Sequence, residues 1–154
     1  VDKKRVLVLC TGNSCRSQMA EGLINHYLGT AWEAYSAGTR PAGYVHELAV
    51  EAMSELGIDI AGYASKSVDQ FRNMDLDVVI TVCDDAAENC PLWLGPGKVV
   101  HIGFPDPAEA TGSRAERLAV FRQVRDDIRQ RLFAHLEQET HDSGGPALFL
   151  RHEV

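Results

Sequence analysis

Four cysteines, an arginine and an aspartate carry the chemistry that can be read from this sequence. The densest group is Cys10-Thr11-Gly12-Asn13-Ser14-Cys15-Arg16-Ser17, with Arg16 six positions after Cys10. Cys10 follows Val6-Leu7-Val8-Leu9, a continuous apolar run of the kind found in strands buried on both faces, and a helical pattern begins within a few residues. Successive N–H groups in such a strand-to-helix loop can converge into an anion-binding nest, backed by the positive end of the helix. Arg16 closes the loop and can grip two oxygens of a tetrahedral oxyanion. The same positive field favours Cys10 as thiolate, the nucleophilic form of the side chain. Ser17 is placed to donate a hydrogen bond to that sulfur. The bland alternative is a tight turn with an incidental buried cysteine, which Cys-x5-Arg between strand and helix disfavours.

Two more cysteines, Cys83 and Cys90, follow the β-branched run Val78 to Val82. Taken alone, Cys-x6-Cys reads as two small buried hydrophobes. Zinc is a rival, but Cys-x4-Cys and Cys-x6-Cys do not fit the usual knuckle spacing. None of His26, His46, His101, His135, His141 and His152 lies near a cysteine at ligand spacing, so no metal is expected. Asp106, in Phe104-Pro105-Asp106-Pro107-Ala108, follows a further strand pattern and by itself suits a turn.

The elements that must position these residues alternate. Helical periodicity covers Cys15 to Leu28, with Met19, Leu23, Ile24 and Leu28 on one side. It returns from Val45 to Leu56, with Leu48, Met53 and Leu56 inward and Gly57 as a stop, and from Ser113 or Arg114 to Leu136, with Leu118, Phe121, Val124, Ile128 and Leu132 on one face. Strand patterns lie at Val6 to Cys10, Glu33 to Ala37 (ending in a turn-like Gly38), Val78 to Val82 and Val99 to Ile102. This alternation predicts an α/β fold, a single-domain three-layer α/β/α arrangement with a central, mostly four-stranded parallel sheet and helices on both faces. The domain is expected over residues 1–139. Residues 140–154 lose the helical period and read as a mobile tail.

Composition sets outer limits. The chain has 154 residues, 15 Lys plus Arg against 22 Asp plus Glu, and a formal net charge of -7. One domain fits that length, and the charge argues against nucleic acid as a partner. No apolar run approaches the roughly 20 residues of a membrane span. Lys3 to Leu9 is too short for a signal-peptide core. The expected compartment is the cytoplasm, where cysteines serve metal binding or catalysis before structural bridges.

The stretch Val8 to Glu21 resembles the signature of the low-molecular-weight tyrosine phosphatases and of the thioredoxin-coupled arsenate reductases that share their fold. The resemblance continues through Ser36-Ala37-Gly38, Gly57-Ile58 and Asp106-Pro107 to the last helix. A phosphatase needs one nucleophilic cysteine, whereas the reductases use three, at positions matching Cys10, Cys83 and Cys90; Cys15 is then accessory. The resemblance implies that Cys10 attacks arsenate. Cys83 next attacks the Cys10 sulfur, arsenite leaves, and Cys90 moves the disulfide to Cys83–Cys90 for an external reductant, thioredoxin. If the Asp84 to Asn89 stretch is helical, seven steps separate the two Cα atoms by roughly 10 Å, against about 4.4–6.8 Å for a disulfide. The helix must then partly unwind, with Pro91 and Gly95-Pro96-Gly97 as a flank that can move. Asp106 matches the family's general acid. Ala108 stands where a phosphatase carries an aromatic residue, favouring a small inorganic oxyanion.

The resemblance also implies no tightly bound cofactor. Some members hold potassium near the loop at positions matching Asn13, Glu21 and Ser36, all present here. The remaining ligand positions fall at Ala64 and Lys66. The Lys66 ammonium could take the ion's place by pairing with Glu21, or Lys66 is a solvated surface charge. Beside arsenate reduction, two readings stay open: a low-molecular-weight phosphatase with redox-sensitive cysteines, and a non-enzymatic thiol sensor of oxyanions or redox state.

Overall fold

Val6, Leu7, Val8 and Leu9 are all fully buried, as an apolar run without alternation requires. They belong to β1 (Lys4–Cys10), an inner strand of a four-stranded parallel sheet ordered β2-β1-β3-β4, with β2 at Trp32–Gly38, β3 at Val78–Thr81 and β4 at Lys98–His101. The structure is a computed structural model and describes residues 3–84 and 92–142. Three α-helices accompany the sheet, α1 (Arg16–Tyr27), α2 (Glu47–Ser54) and α3 (Arg114–Asp142), with short 3-10 helices at Val68–Phe71 and Pro107–Glu109.

Alternate residues of β1 divide the core. Val6 and Val8 join Met19 and Leu23 of α1, Leu48 and Met53 of α2, and Leu118, Phe121, Val124, Ile128, Leu132 and Leu136 of α3. Leu7 and Leu9 pack on the opposite face with Val68, Phe71, Leu76, Val79 and Trp93. The three layers are therefore unequal. Helices were expected on both faces, but among the described residues all three α-helices lie on the Val6 side. The other side is covered by the Val68–Phe71 turn and large apolar side chains. The apolar faces of α1, α2 and α3 agree with the spacing that predicted them.

The strand order fixes where a ligand can sit. The chain leaves β1 for β2 on one side, while β3 lies on the other, so the order reverses at the carboxyl end of β1. In open α/β sheets that crevice is the binding position, and Cys10 is the last residue of β1. At the far end of the fold, α3 runs past Thr140, where the sequence loses its period. Thr140 Oγ1 donates to Leu136 O (3.0 Å) and accepts from Trp32 Nε1 (3.2 Å), which ties that turn to β2. The rest of the tail lies outside the described residues.

α2 begins at His46, whose Nδ1 accepts from Leu48 N–H at 3.1 Å and whose ring lies 4.8 Å from that of Phe121. Burial, with the Arg117 charge, holds the His46 pKa below its ordinary value of 6.5. A proton on Nδ1 would abolish the cap. Folding stability should therefore be complete above about pH 6.5 and fall as pH drops from there toward the lowered folded value, because the unfolded chain binds the proton first. In His46→Asn, whose amide oxygen keeps the cap, urea midpoints measured between pH 7.5 and 5.5 should fall less than in the wild type; an equal fall would contradict this assignment.

Candidate active site

The loop from Cys10 to Arg16 is shaped by where its carbonyl groups are held. Thr11 O accepts from Arg40 N–H (2.9 Å), Gly12 O from Ala42 N–H (2.8 Å) and Ser14 O from His46 N–H (3.0 Å). Asn13 O accepts from Gln18 Nε2 (3.1 Å). A trans peptide points its N–H opposite its C=O. The N–H groups of Gly12, Asn13, Ser14 and Cys15 are accordingly turned toward the loop interior. That of Asn13 reaches Cys10 Sγ at 3.3 Å. The nest inferred from spacing is thus a property of the backbone. The start of α1 adds to it, since its N-cap residue, Cys15, makes no side-chain cap and the first turn holds no acid, so the positive helix end is not offset by a carboxylate there.

Two residues make this turn possible. Asn13 sits at φ +50°, a left-handed conformation that asparagine tolerates better than most residues. Its side chain is fully engaged: Nδ2 donates to Ser17 Oγ (2.8 Å) and Ser36 Oγ (3.0 Å), while Oδ1 accepts from Lys66 N–H (2.7 Å) and Gln18 Nε2 (2.9 Å). Gly38 is the last residue of β2 rather than a turn. A Cβ there would lie 2.4 Å from Thr11 O, so only glycine lets the loop lie against the strand.

The nucleophile candidate is well defined. Cys10 is 2% exposed and its Sγ is 2.9 Å from Ser17 Oγ, as the spacing foresaw. Cys15, equally buried, differs from it. Burial pushes the Cys15 thiol up to about 12, with Ser14 opposing and the Asp106 and Cys10 charges reinforcing the rise. Cys15 is protonated at neutral pH and poorly suited to attack. Arg16 is 3% exposed; its Nη1 donates to Phe104 O at 3.1 Å and its Nη2 lies 3.8 Å from Asp106 Oδ2. Asp106 caps the Pro107–Glu109 turn by accepting from Ala108 N–H at 3.0 Å, so its turn-forming role is present as well.

These groups share one cavity of about 570 Å³, lined by Cys10, Thr11, Gly12, Ser14, Cys15 and Arg16 and by Asp84, Pro105, Asp106 and Glu109. Sequence reasoning did not single out Asp84 or Glu109. Asp84 adjoins Cys83 in sequence, but Glu109 is reached only through the Pro107–Glu109 turn. Ser36, Glu21 and Lys66 form a chain behind the loop: Ser36 Oγ donates to Glu21 Oε1 (2.6 Å), and Lys66 Nζ lies 3.3 Å from the same oxygen and 2.9 Å from Ala64 O. Lys66 is therefore a partnered charge rather than a solvated one.

Cys83 follows β3 by two residues and is fully buried. Val82 N–H donates to Leu9 O at 2.9 Å, so the ends of β1 and β3 carry Cys10 and Cys83 to one edge of the sheet. Cys83 is disulfide-bonded, while Cys10 and Cys15 are free. Cys90, Pro91 and the stretch proposed as helical before them lie outside the described residues. In the flank Gly95-Pro96-Gly97, expected to move, buried Trp93 donates from Nε1 to Pro96 O at 2.8 Å, and a Cβ on Gly95 would meet its ring at 2.5 Å.

Known proteins resemble the chain in sequence and in fold. The low molecular weight phosphotyrosine protein phosphatase model matches residues 5–143. An arsenate reductase from Halalkalibacterium halodurans is 49% identical over 132 residues, 86% of this chain and 94% of that one. A solved arsenate reductase in its reduced state is 32% identical with a TM-score of 0.70, covering 88% of this chain and 98% of the other. The thioredoxin-dependent arsenate reductase of Corynebacterium glutamicum is 27% identical with a TM-score of 0.60, covering 89% of this chain and 63% of that one. With the family model matching nearly the whole chain and an arsenate reductase 49% identical to it, the chain belongs to the low molecular weight phosphotyrosine protein phosphatase family, on the branch of the arsenate reductases.

Proposed function

We propose that the chain reduces arsenate to arsenite, with Cys10 as nucleophile, Cys83 and Cys90 as a disulfide relay, and a thioredoxin dithiol as the final electron source. The observation that carries the reading is the pairing of a free Cys10 inside an anion nest with a disulfide-bonded Cys83 at the adjacent strand end. A phosphatase with a single working cysteine gives that second site no task. Its aryl-phosphate cleft is also unsupported, since Ala108 follows Asp106-Pro107. Loop and acid would still allow slow hydrolysis of an aryl phosphate.

The oxyanion sits among the loop N–H groups and Arg16, with Thr11 to Ser17 forming its binding site. The Cys10 sulfur attacks arsenic, and one arsenate oxygen leaves as water with a proton from Asp106. The Cys83 thiolate attacks the Cys10 sulfur; an S–S bond forms, the S–As bond breaks, and its electron pair goes to arsenic, reducing As(V) to As(III). Cys90 then attacks Cys83 and frees Cys10. The Cys83–Cys90 disulfide takes two electrons and two protons from the external dithiol. The thioredoxin-dependent relative supports that choice of reductant.

Steady oxidation of NADPH should follow addition of arsenate to the chain with thioredoxin and thioredoxin reductase. Cys10→Ser should abolish it. Cys90→Ser should release one arsenite per chain and stop with Cys10 bonded to Cys83, a state mass spectrometry of tryptic peptides would identify; sustained turnover by Cys90→Ser would falsify the relay.

Lys66 is proposed to stand in for a monovalent cation. Its ammonium meets Glu21 Oε1 and its N–H meets Asn13 Oδ1, so charge and main chain together brace the residue that bends the loop. Exchanging potassium for sodium at constant ionic strength should leave the wild-type rate unchanged. Lys66→Met should lower kcat/KM about tenfold. A specific acceleration of the wild type by potassium would show that the ammonium does not fill this role.

A further inference from the structure

Arg16 is gripped by a main-chain carbonyl, and the peptide that precedes this carbonyl is itself held by a side chain of α3. Arg16 Nη1 donates to Phe104 O at 3.1 Å. The peptide just before that carbonyl joins Gly103 to Phe104. Its N–H donates to Val82 O (3.1 Å), next to Cys83, and its C=O accepts from Arg131 Nη1 of α3 (2.9 Å). The Arg131 guanidinium also lies 4.7 Å from the centroid of the Phe104 ring, within the range of a cation–π contact. Phe104 is 2% exposed. Phe104 precedes Pro105, which confines its ψ to the extended range, so the direction of the Phe104 carbonyl follows from how Gly103–Phe104 is pinned. A Cβ on Gly103 would lie 2.9 Å from Cys83 O, so this segment also fits closely against the second cysteine. Asp106 follows two residues after Phe104 and meets Arg16 Nη2 at 3.8 Å.

We propose that Arg131 is a positioning residue for oxyanion binding: it fixes the Gly103–Phe104 peptide so that the Phe104 carbonyl aims the Arg16 guanidinium into the loop. It acts only through Arg16 and does not line the cavity. The inference rests on the reading that the cavity holds a tetrahedral oxyanion.

Calorimetric titration with inorganic phosphate is the direct test, because it needs neither the relay nor a reductant. Arg131→Met keeps length and apolar contact with Phe104 but loses the hydrogen bond and the charge. Its Kd for phosphate should rise five- to tenfold, the KM for arsenate should rise in parallel, and kcat at saturating arsenate should change less than twofold. Arg131→Lys should recover part of the affinity. Arg129→Met is the control: it removes the same charge from α3, where Arg129 stacks instead on Tyr27 of α1 at 3.9 Å, and its phosphate affinity should stay at the wild-type level. An unchanged Kd in Arg131→Met, equal weakening in Arg129→Met, or a loss of kcat with KM intact would each overturn the proposal. If Arg131→Met fails to fold, Phe104→Leu, which keeps the main chain but removes the ring, should raise Kd two- to threefold, and no rise would count against it. A wild type that does not bind phosphate would overturn both this proposal and the reading beneath it. A wild type that binds phosphate but turns over no arsenate would overturn the reductase reading alone.

Discussion

The carbonyl groups of Thr11, Gly12 and Ser14 are received by N–H groups of residues 40, 42 and 46, and the inward direction of the loop's own N–H groups follows from that. The segment after β2 therefore works as an external brace. It holds the outer rim of the loop, while Asn13 is held from behind by Gln18, Ser36 and Lys66. A peptide dipole that is already oriented needs no rearrangement as charge arrives, which is how fixed donors act strongly in a site largely closed to water. Sheet order supplies the location, the brace supplies the direction, and the start of α1 supplies the remaining field.

Charge makes the same point. The chain is acidic overall, at -7, and Asp84, Asp106 and Glu109 line the same cavity as Arg16. Long-range attraction cannot recruit an anion here, because the summed field opposes it. What holds an oxyanion must be short-ranged: N–H groups within hydrogen-bond reach and one nearly buried guanidinium. This division has a chemical advantage. A carboxyl beside the bound oxyanion can deliver a proton, whereas a rim built only of cations could not.

Much of this was legible in the sequence because strong local rules agree with one another. The unbroken apolar run of β1 announced a doubly buried strand, and the i, i+3, i+4 spacing of α3 from Leu118 to Leu136 announced one buried face; both are local patterns. Cys10 and Arg16 were legible since one short loop contains them. Gly38 was misread as a turn because a glycine's reason can lie in a distant chain, here Thr11 O. Arg131 and Glu109 gave no signal, as neither sits in a motif and each meets the site only after the sheet and α3 have folded. The unequal layers escaped notice because alternation of strands and helices says how many elements there are, not which face each one covers.

The loop's donors are main-chain atoms, and side-chain replacement cannot delete them. The face of the cavity built from Gly12, Ser14 and Cys15 can thus vary in sequence while offering an anion nearly the same grip. Fragility is displaced to the supports of that face: Gly38, where any Cβ collides with the loop, and Asn13, where few side chains accept φ +50°. In a set of random variants, loss of binding should therefore map to a ring around the cavity more than to its lining, with Arg16 the main exception.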